Sequence, residues 1–173
     1  MYQLVAKLPQ VSLGRPARHT GLFGPESAGA RHIAGHGHHG AEAATMFAAM
    51  GKAFRPSGGM ARGEDLVHTM AAHRHGDYAS LARQIVEHDV LCFDWDASYW
   101  LPMFQFDMHD LSVRRDLLPV FWELHHDCDG WALASWFARP HAALHGRVPV
   151  DLLDSELAAV LAAAGASRRI ETS

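Results

Sequence analysis

The sequence predicts a mainly α-helical protein: a small helical bundle with one short β-hairpin, in a winged-helix-like segment, ahead of a helical C-terminal domain. Apolar residues recur at three- and four-residue spacing along most of the chain after residue 40. Proline, glycine and capping residues divide these stretches into short helices. Two short runs rich in aromatic and β-branched residues, at 90–93 and 99–101, flank a polar turn and predict the hairpin.

The composition is that of an ordinary globular domain. The 173 residues are 49% hydrophobic and 20% charged, and the net charge of −4 disfavours a broad basic surface for nucleic acid. Cys92 and Cys128 are the only cysteines, and no secretory signal or membrane-length apolar stretch precedes or follows them. We therefore expect a soluble, cytoplasmic protein with no membrane association.

Residues 1–40 form an irregular segment rich in histidine and glycine. Metal binding is one interpretation of its cluster of imidazoles, and a flexible tract with incidental affinity is the other. A structural zinc site needs four fixed ligands, and neither cysteine lies near this tract. We therefore expect no metal there. The histidines concerned are His32, His36, His38 and His39.

Residues 41–107 are predicted to form three helices and the hairpin. Met46, Met50 and Phe54 make an apolar stripe along a first helix at 41–54, which the turn at 56–59 ends. Helices at 64–74 and 78–88 follow, with Asp77 as the N-cap of the second.

The helix pair and the hairpin together suggest a helix-turn-helix with a wing. Acidic residues crowd the second helix, and phosphate contacts are made chiefly by lysine and arginine. The sequence therefore favours a structural helix pair, with DNA binding as the alternative. The side chains that would read DNA are Ser80, Arg83 and Gln84.

Residues 108–165 are predicted to form a second helical domain. A helix at 117–126 tolerates Pro119 in its first turn, and a helix from 130 stops before Pro140. A turn-rich loop at 141–150 leads to a last helix that Asp154 or Ser155 can cap. Residues 166–173 are predicted to be a mobile C-terminal tail.

No catalytic motif emerges from the sequence. A phosphate-binding glycine loop, a zinc ligand set and a nucleophile elbow are all missing from it. Asp107, His109 and Asp110 resemble a metal or acid/base cluster, but three such residues in one loop are common by chance. We expect no enzyme activity and no cofactor.

Two sequence signatures lie in the second half of the chain. One has the pattern W…W…P…L-x-G-x-x-P…L-L, and its residues are Trp131, Trp136, Pro140, Leu144, Gly146, Pro149, Leu152 and Leu153. The other, upstream, is P-x-x-Q-F-D, with the residues Pro102, Gln105, Phe106 and Asp107. Together they resemble the signatures of a known family, the Xre/MbcA/ParS antitoxins, and the resemblance covers roughly residues 91–164.

The resemblance implies an antitoxin-like module whose C-terminal helical domain binds a toxin and blocks its active site, often as a homodimer. In many relatives the partner is a RES-domain toxin that degrades NAD, or a related fold. The resemblance also implies a structural role for the upstream signature. The residues themselves agree with this role, because Phe104 and Phe106 can point into the core while Gln105 and Asp107 form hydrogen bonds with backbone at a corner. Candidate toxin contacts are Arg139, His141, Leu144, Arg147, Asp151, Arg168 and Arg169.

Two alternatives remain open at this level. The protein could be a DNA-binding autoregulator, or an adaptor with the same fold and a different partner. Arg147 and Asp151, four residues apart, could also pair with each other in a purely structural turn.

Overall fold

The computed structural model describes residues 40–73, 76–125 and 128–171, which contain six α-helices and one three-stranded sheet. All of them belong to one unit, Gly35–Ser173. The mainly helical fold is confirmed. In chain order the elements are α1 (Ala41–Phe54), β1 (Met60–Arg62), α2 (Gly63–His73), α3 (Tyr78–Val86), β2 (Phe93–Trp95), β3 (Ser98–Pro102), α4 (Leu118–His125), α5 (Gly130–Ala138) and α6 (Leu157–Glu171).

The sheet is antiparallel, with the strand order β1-β3-β2. Asp96 and Ala97 connect β2 to β3 with positive φ angles of 50° and 55°, as a tight two-residue hairpin requires. The predicted helix pair is followed by the predicted hairpin, and the element order α1-β1-α2-α3-β2-β3 resembles that of a winged helix.

The strand assignments from sequence need two corrections. The first hairpin strand begins at Phe93 rather than spanning 90–93, because the backbone of Leu91 is hydrogen-bonded to a side chain and not to a strand. Strand β1, which pairs with β3, is absent from the prediction, since three residues are too few to show a period.

The first three helices follow their predicted patterns closely. Helix α1 has the predicted bounds, and Asp77 caps α3 by accepting a hydrogen bond from the backbone N–H of Ser80. Helix α3 ends at Val86, two residues early, and His88 just beyond it adopts a left-handed φ of 62°.

Of the two last helices, α5 ends where it is predicted to end, whereas α6 differs from the prediction at both of its ends. Helix α5 stops before Pro140 as predicted, and Asp129 caps its start. Helix α6 begins directly after Glu156, so neither Asp154 nor Ser155 holds the N-cap position. It then continues to Glu171, so the residues predicted as a mobile tail from 166 onward are helical as far as 171.

Two hydrophobic clusters hold these elements together. One lies under the winged helix and includes Leu66, Met70 and Leu101. The larger cluster joins Phe54 of α1 to Phe137 of α5 and to residues of β2, α4 and α6. It therefore crosses the division between 41–107 and 108–165, which share a core.

None of the helices in the described ranges combines the length and the apolar character that a membrane crossing requires. The predicted histidine-rich tract lies outside these ranges.

Candidate protein-binding surface

Helix α5 is the buried support of the C-terminal segment. Leu133, Ala134, Trp136 and Phe137 are all buried, so the helix is apolar around most of its circumference. Phe137 packs against the rings of both Phe104 and Phe121. A helix embedded in this way is a fixed base for the loop that follows it.

The loop after Pro140 is a closed turn held by its own backbone. The N–H of His141 donates to the carbonyl of Arg147 at 3.1 Å, and the N–H of Gly146 donates back to the carbonyl of His141 at 2.9 Å. His145 and Gly146 take positive φ angles of 56° and 77°, which reverse the chain. The turn therefore presents its outer side chains from a defined backbone.

Trp136 joins this turn to both neighbouring helices. Its ring lies 4.5 Å from that of His141, whose Nε2 is 2.9 Å from the Trp136 carbonyl and donates to it in the tautomer protonated at Nε2. The indole N–H also donates to Ser167 in α6 at 3.3 Å. These contacts fix the end of α5, the turn and α6 relative to one another.

Two arginines anchor the start of α6 to the rest of the segment. The Arg147 guanidinium forms a bidentate pair with Glu156, with Nη2 and Oε2 2.8 Å apart. Arg114 bridges Asp116 and Asp154. The alternative of an Arg147–Asp151 pair is therefore wrong, because Arg147 is engaged by Glu156.

The Arg147–Glu156 pair lies on the surface. The hydrogen bonds from Arg147 lower the pKa of the Glu156 carboxyl, and the same bonds raise the pKa of Arg147. Both side chains are about two-fifths exposed, so solvent screens the interaction and its role is chiefly to orient the two groups.

The predicted toxin contacts divide into four groups by the exposure of their side chains. Arg139, Arg147 and Asp151 are exposed, and His141 is half-buried beside Trp136. Leu144 is only 1% exposed, so it is a core residue and not a contact, which corrects the prediction. Arg168 and Arg169 lie on α6, with side chains outside the described part of the structure.

The Q-F-D signature is structural, as the resemblance implies. Gln105 is fully buried: its Oε1 accepts from the Leu91 N–H at 2.7 Å, and its Nε2 donates to the carbonyls of Leu91 and Pro102. Asp107 accepts from the backbone N–H of His109 at 2.7 Å. Phe106 is buried beside them.

The predicted DNA-reading residues do not form one polar face. The Ser80 hydroxyl is committed to the capping box of α3. The Gln84 side-chain oxygen is buried, with no hydrogen-bond partner among the described residues. Of the three, Arg83 has an exposed side chain.

The structure also contains a cluster of stacked aromatic rings that the sequence did not predict. The Trp95 ring stacks on the rings of Phe47 and Trp131, with centroid distances of 4.9 Å and 5.4 Å. The hairpin therefore packs between α1 and α5. Trp100 meets the Phe47 ring edge-on. No regular spacing connects these rings in the sequence, so only the tertiary fold brings them together.

Within the described ranges, no three histidine, cysteine or acidic side chains are grouped as a metal site requires. Asp107, His109 and Asp110 are thus not such a cluster.

One of three comparisons with known proteins gives a match. No curated protein and no solved structure matches the chain. One family model does match, and the matched residues contain α5, the closed turn and the first part of α6. Residues 128–162 match the antitoxin Xre/MbcA/ParS C-terminal toxin-binding domain, which confirms the resemblance seen in the sequence.

Proposed function

We propose that the protein is a non-enzymatic, cytoplasmic antitoxin that binds and neutralises a protein toxin through the exposed side of residues 139–156. The observation that carries this proposal is the family match of residues 128–162. That matched segment contains the closed turn and its exposed polar side chains, and it is supported by the buried helix α5.

The geometry of the turn suits recognition by a rigid surface. Backbone hydrogen bonds, the Trp136–His141 contact and the Arg147–Glu156 pair hold the turn before any partner arrives. Binding then loses little conformational entropy, so more of the contact energy remains as affinity. Arg139 and Asp151 are the exposed charges that we expect to reach the toxin.

We further propose that the toxin is of the RES type, which degrades NAD, and that the antitoxin acts as a homodimer. Both details extend the family resemblance.

Co-expression with a RES-domain toxin from the source cell tests the proposal. The intact chain is expected to restore growth and the cellular NAD level, because the bound antitoxin blocks the toxin's active site. The double variant Arg139→Glu/Asp151→Lys is expected to lose this protection, since it reverses both exposed charges without touching the core.

Lys52→Glu on α1 is the matched control, because Lys52 is also exposed but lies outside the matched segment. It should protect as well as the unmodified chain. Full protection by the double variant would contradict the proposed surface. Stable capture of a partner that is not a toxin would favour an adaptor instead.

A second candidate function, DNA-binding autoregulation, is favoured by the winged-helix order of α1 to β3. The charge distribution opposes it: Asp94 and Asp96 lie on the hairpin and Glu87 follows α3, against Arg83. Binding of labelled duplex DNA, measured at 50 and 200 mM salt, tests it. A phosphate-binding interface would lose affinity steeply with salt, whereas no binding at the lower salt concentration removes this candidate.

A further inference from the structure

A surface pocket of about 370 Å³ lies outside the segment that matches the antitoxin family. Its lining residues are Glu87 and His88, just after α3, and Trp122 and His125 on α4. The proposed toxin-binding surface uses none of these side chains. Toxin binding by residues 139–156 therefore does not account for this pocket.

Trp122 stands out among the residues of α4. Val120, Phe121 and Leu124 are buried in the larger core, whereas Trp122 is 55% exposed at the pocket. Val86, which immediately precedes the lining residue Glu87, is 72% exposed. A large apolar side chain that is exposed at a pocket, as Trp122 is, is typical of an interaction site.

The backbone at the rim of the pocket is fixed. The N–H of Glu87 donates to the Arg83 carbonyl at 2.8 Å, and the N–H of Asp89 donates to the Gln84 carbonyl at 2.9 Å. His88 between them has a left-handed φ of 62°, and its ring lies 3.8 Å from that of His125. The backbone on the α3 side of the pocket is therefore held by hydrogen bonds within the protein.

Two of the four described residues that line the pocket, Trp122 and Glu87, suit a planar cation. Trp122 offers an aromatic face, and Glu87 offers an exposed carboxylate at the same pocket. A guanidinium group can stack on an indole and pair with a carboxylate at the same time, which a compact ammonium group does less well. We propose that this pocket binds an arginine side chain of a partner protein.

The same charges argue against nucleic acid at this site. A phosphate would meet the carboxylate of Glu87, which lines the pocket and is exposed. The chain provides Arg83 as the cation nearest in sequence, whereas phosphate binding relies on several. A protein that presents an arginine complements the site better than DNA does.

Titration of the ¹⁵N-labelled full chain with N-acetyl-arginine amide tests the proposal at pH 8, above the range in which histidine ordinarily titrates. We expect saturable shifts of the Trp122 indole N–H and of the Glu87 and His88 amides. Trp122→Leu identifies the indole signal by its loss. N-acetyl-norleucine amide, which is apolar and uncharged, should produce markedly smaller shifts.

Glu87→Gln should weaken arginine binding by about three- to fivefold, the expected size for an exposed charge pair. Trp122→Leu should weaken it by about two- to fivefold, measured on the amide signals. Glu42→Gln, at an exposed carboxylate of α1, should leave binding unchanged. Equal shifts with norleucine amide, no shift at all, or tighter binding of duplex DNA at these residues would overturn the proposal.

Discussion

Gln105 shows how one side chain can replace a stretch of β-sheet. Its amide group pairs with both backbone groups of Leu91, at 2.7 and 2.8 Å, much as a neighbouring strand would. It also donates to the Pro102 carbonyl at 2.9 Å. A buried amide satisfied in this way stabilises a corner where no regular strand pairing is available.

Replacing Gln105 with leucine should therefore be costly. Gln105→Leu leaves the Leu91 N–H and the two carbonyls without their partner in the core, and we expect it to lower the free energy of unfolding by about 2–4 kcal/mol. Urea denaturation measures this. Asp107→Asn, which retains a side-chain oxygen that can accept from His109, should change stability by less than about 0.5 kcal/mol. Similar effects of the two substitutions would contradict the assigned role of Gln105.

Cys92 gives the protein a pH dependence at alkaline pH. Burial, with a smaller contribution from the charge of Asp94, raises the pKa of the Cys92 thiol from 9.0 to about 12. The unfolded chain loses this proton first, so the stability contributed by the neutral thiol is complete below pH 9 and is lost as the pH rises towards 12.

Between pH 8 and pH 10.5, the unfolding free energy of the unmodified chain should therefore fall by about 1–2 kcal/mol more than that of Cys92→Ala. Urea denaturation at the two pH values measures the difference. The comparison removes the contribution of tyrosines, which both proteins share. An equal loss of unfolding free energy in both proteins would show that burial does not raise the pKa of the Cys92 thiol.

At the scale of elements, the hairpin is held by the start of α5. Gly130 lies so close to β2 that a Cβ atom there would be 1.9 Å from the Cys92 carbonyl oxygen, a backbone atom that cannot turn aside. One residue later, Trp131 stacks on Trp95 of β2. The hairpin and the segment that matches the antitoxin family thus meet at a contact with no spare space.

Gly130→Ala should separate these two elements. We expect a loss of about 2–3 kcal/mol in unfolding free energy, together with a weaker near-ultraviolet circular dichroism signal from the tryptophans. Gly165→Ala in α6 is the matched control, because its new Cβ would meet only the Glu123 side chain at an ordinary 3.7 Å. It should be neutral or stabilise the helix by up to about 1 kcal/mol. Equal stability of the two variants would rule out the close contact.

At the scale of the whole molecule, the sequence predicted the elements better than the contacts between them. Helix α1 and the end of α5 were predictable because the helical period and Pro140 are local signals. The start of β2 was not predictable, because the apolar residues at 90 and 91 have the pattern of a strand. Only the tertiary structure shows that the side chain of Gln105 binds the backbone of Leu91 there.

In the candidate site, too, local features were predictable and contacts between distant residues were not. The turn was predictable from Gly146 and Pro149, but the Arg147–Glu156 pair was not. The four-residue spacing of Arg147 and Asp151 brings side chains together only on an α-helix. Here short 3₁₀ turns intervene, and Glu156, nine residues away, is the group that Arg147 reaches.

The central claim is that a protein toxin binds the exposed side of residues 139–156. Amide hydrogen exchange of the free protein and of its toxin complex, followed by mass spectrometry, tests this claim most directly. The account predicts slower exchange on binding in peptides covering residues 139–156, with little change in α2, α3 and the hairpin. Protection confined to α3 and the hairpin, with residues 139–156 unchanged, would contradict it.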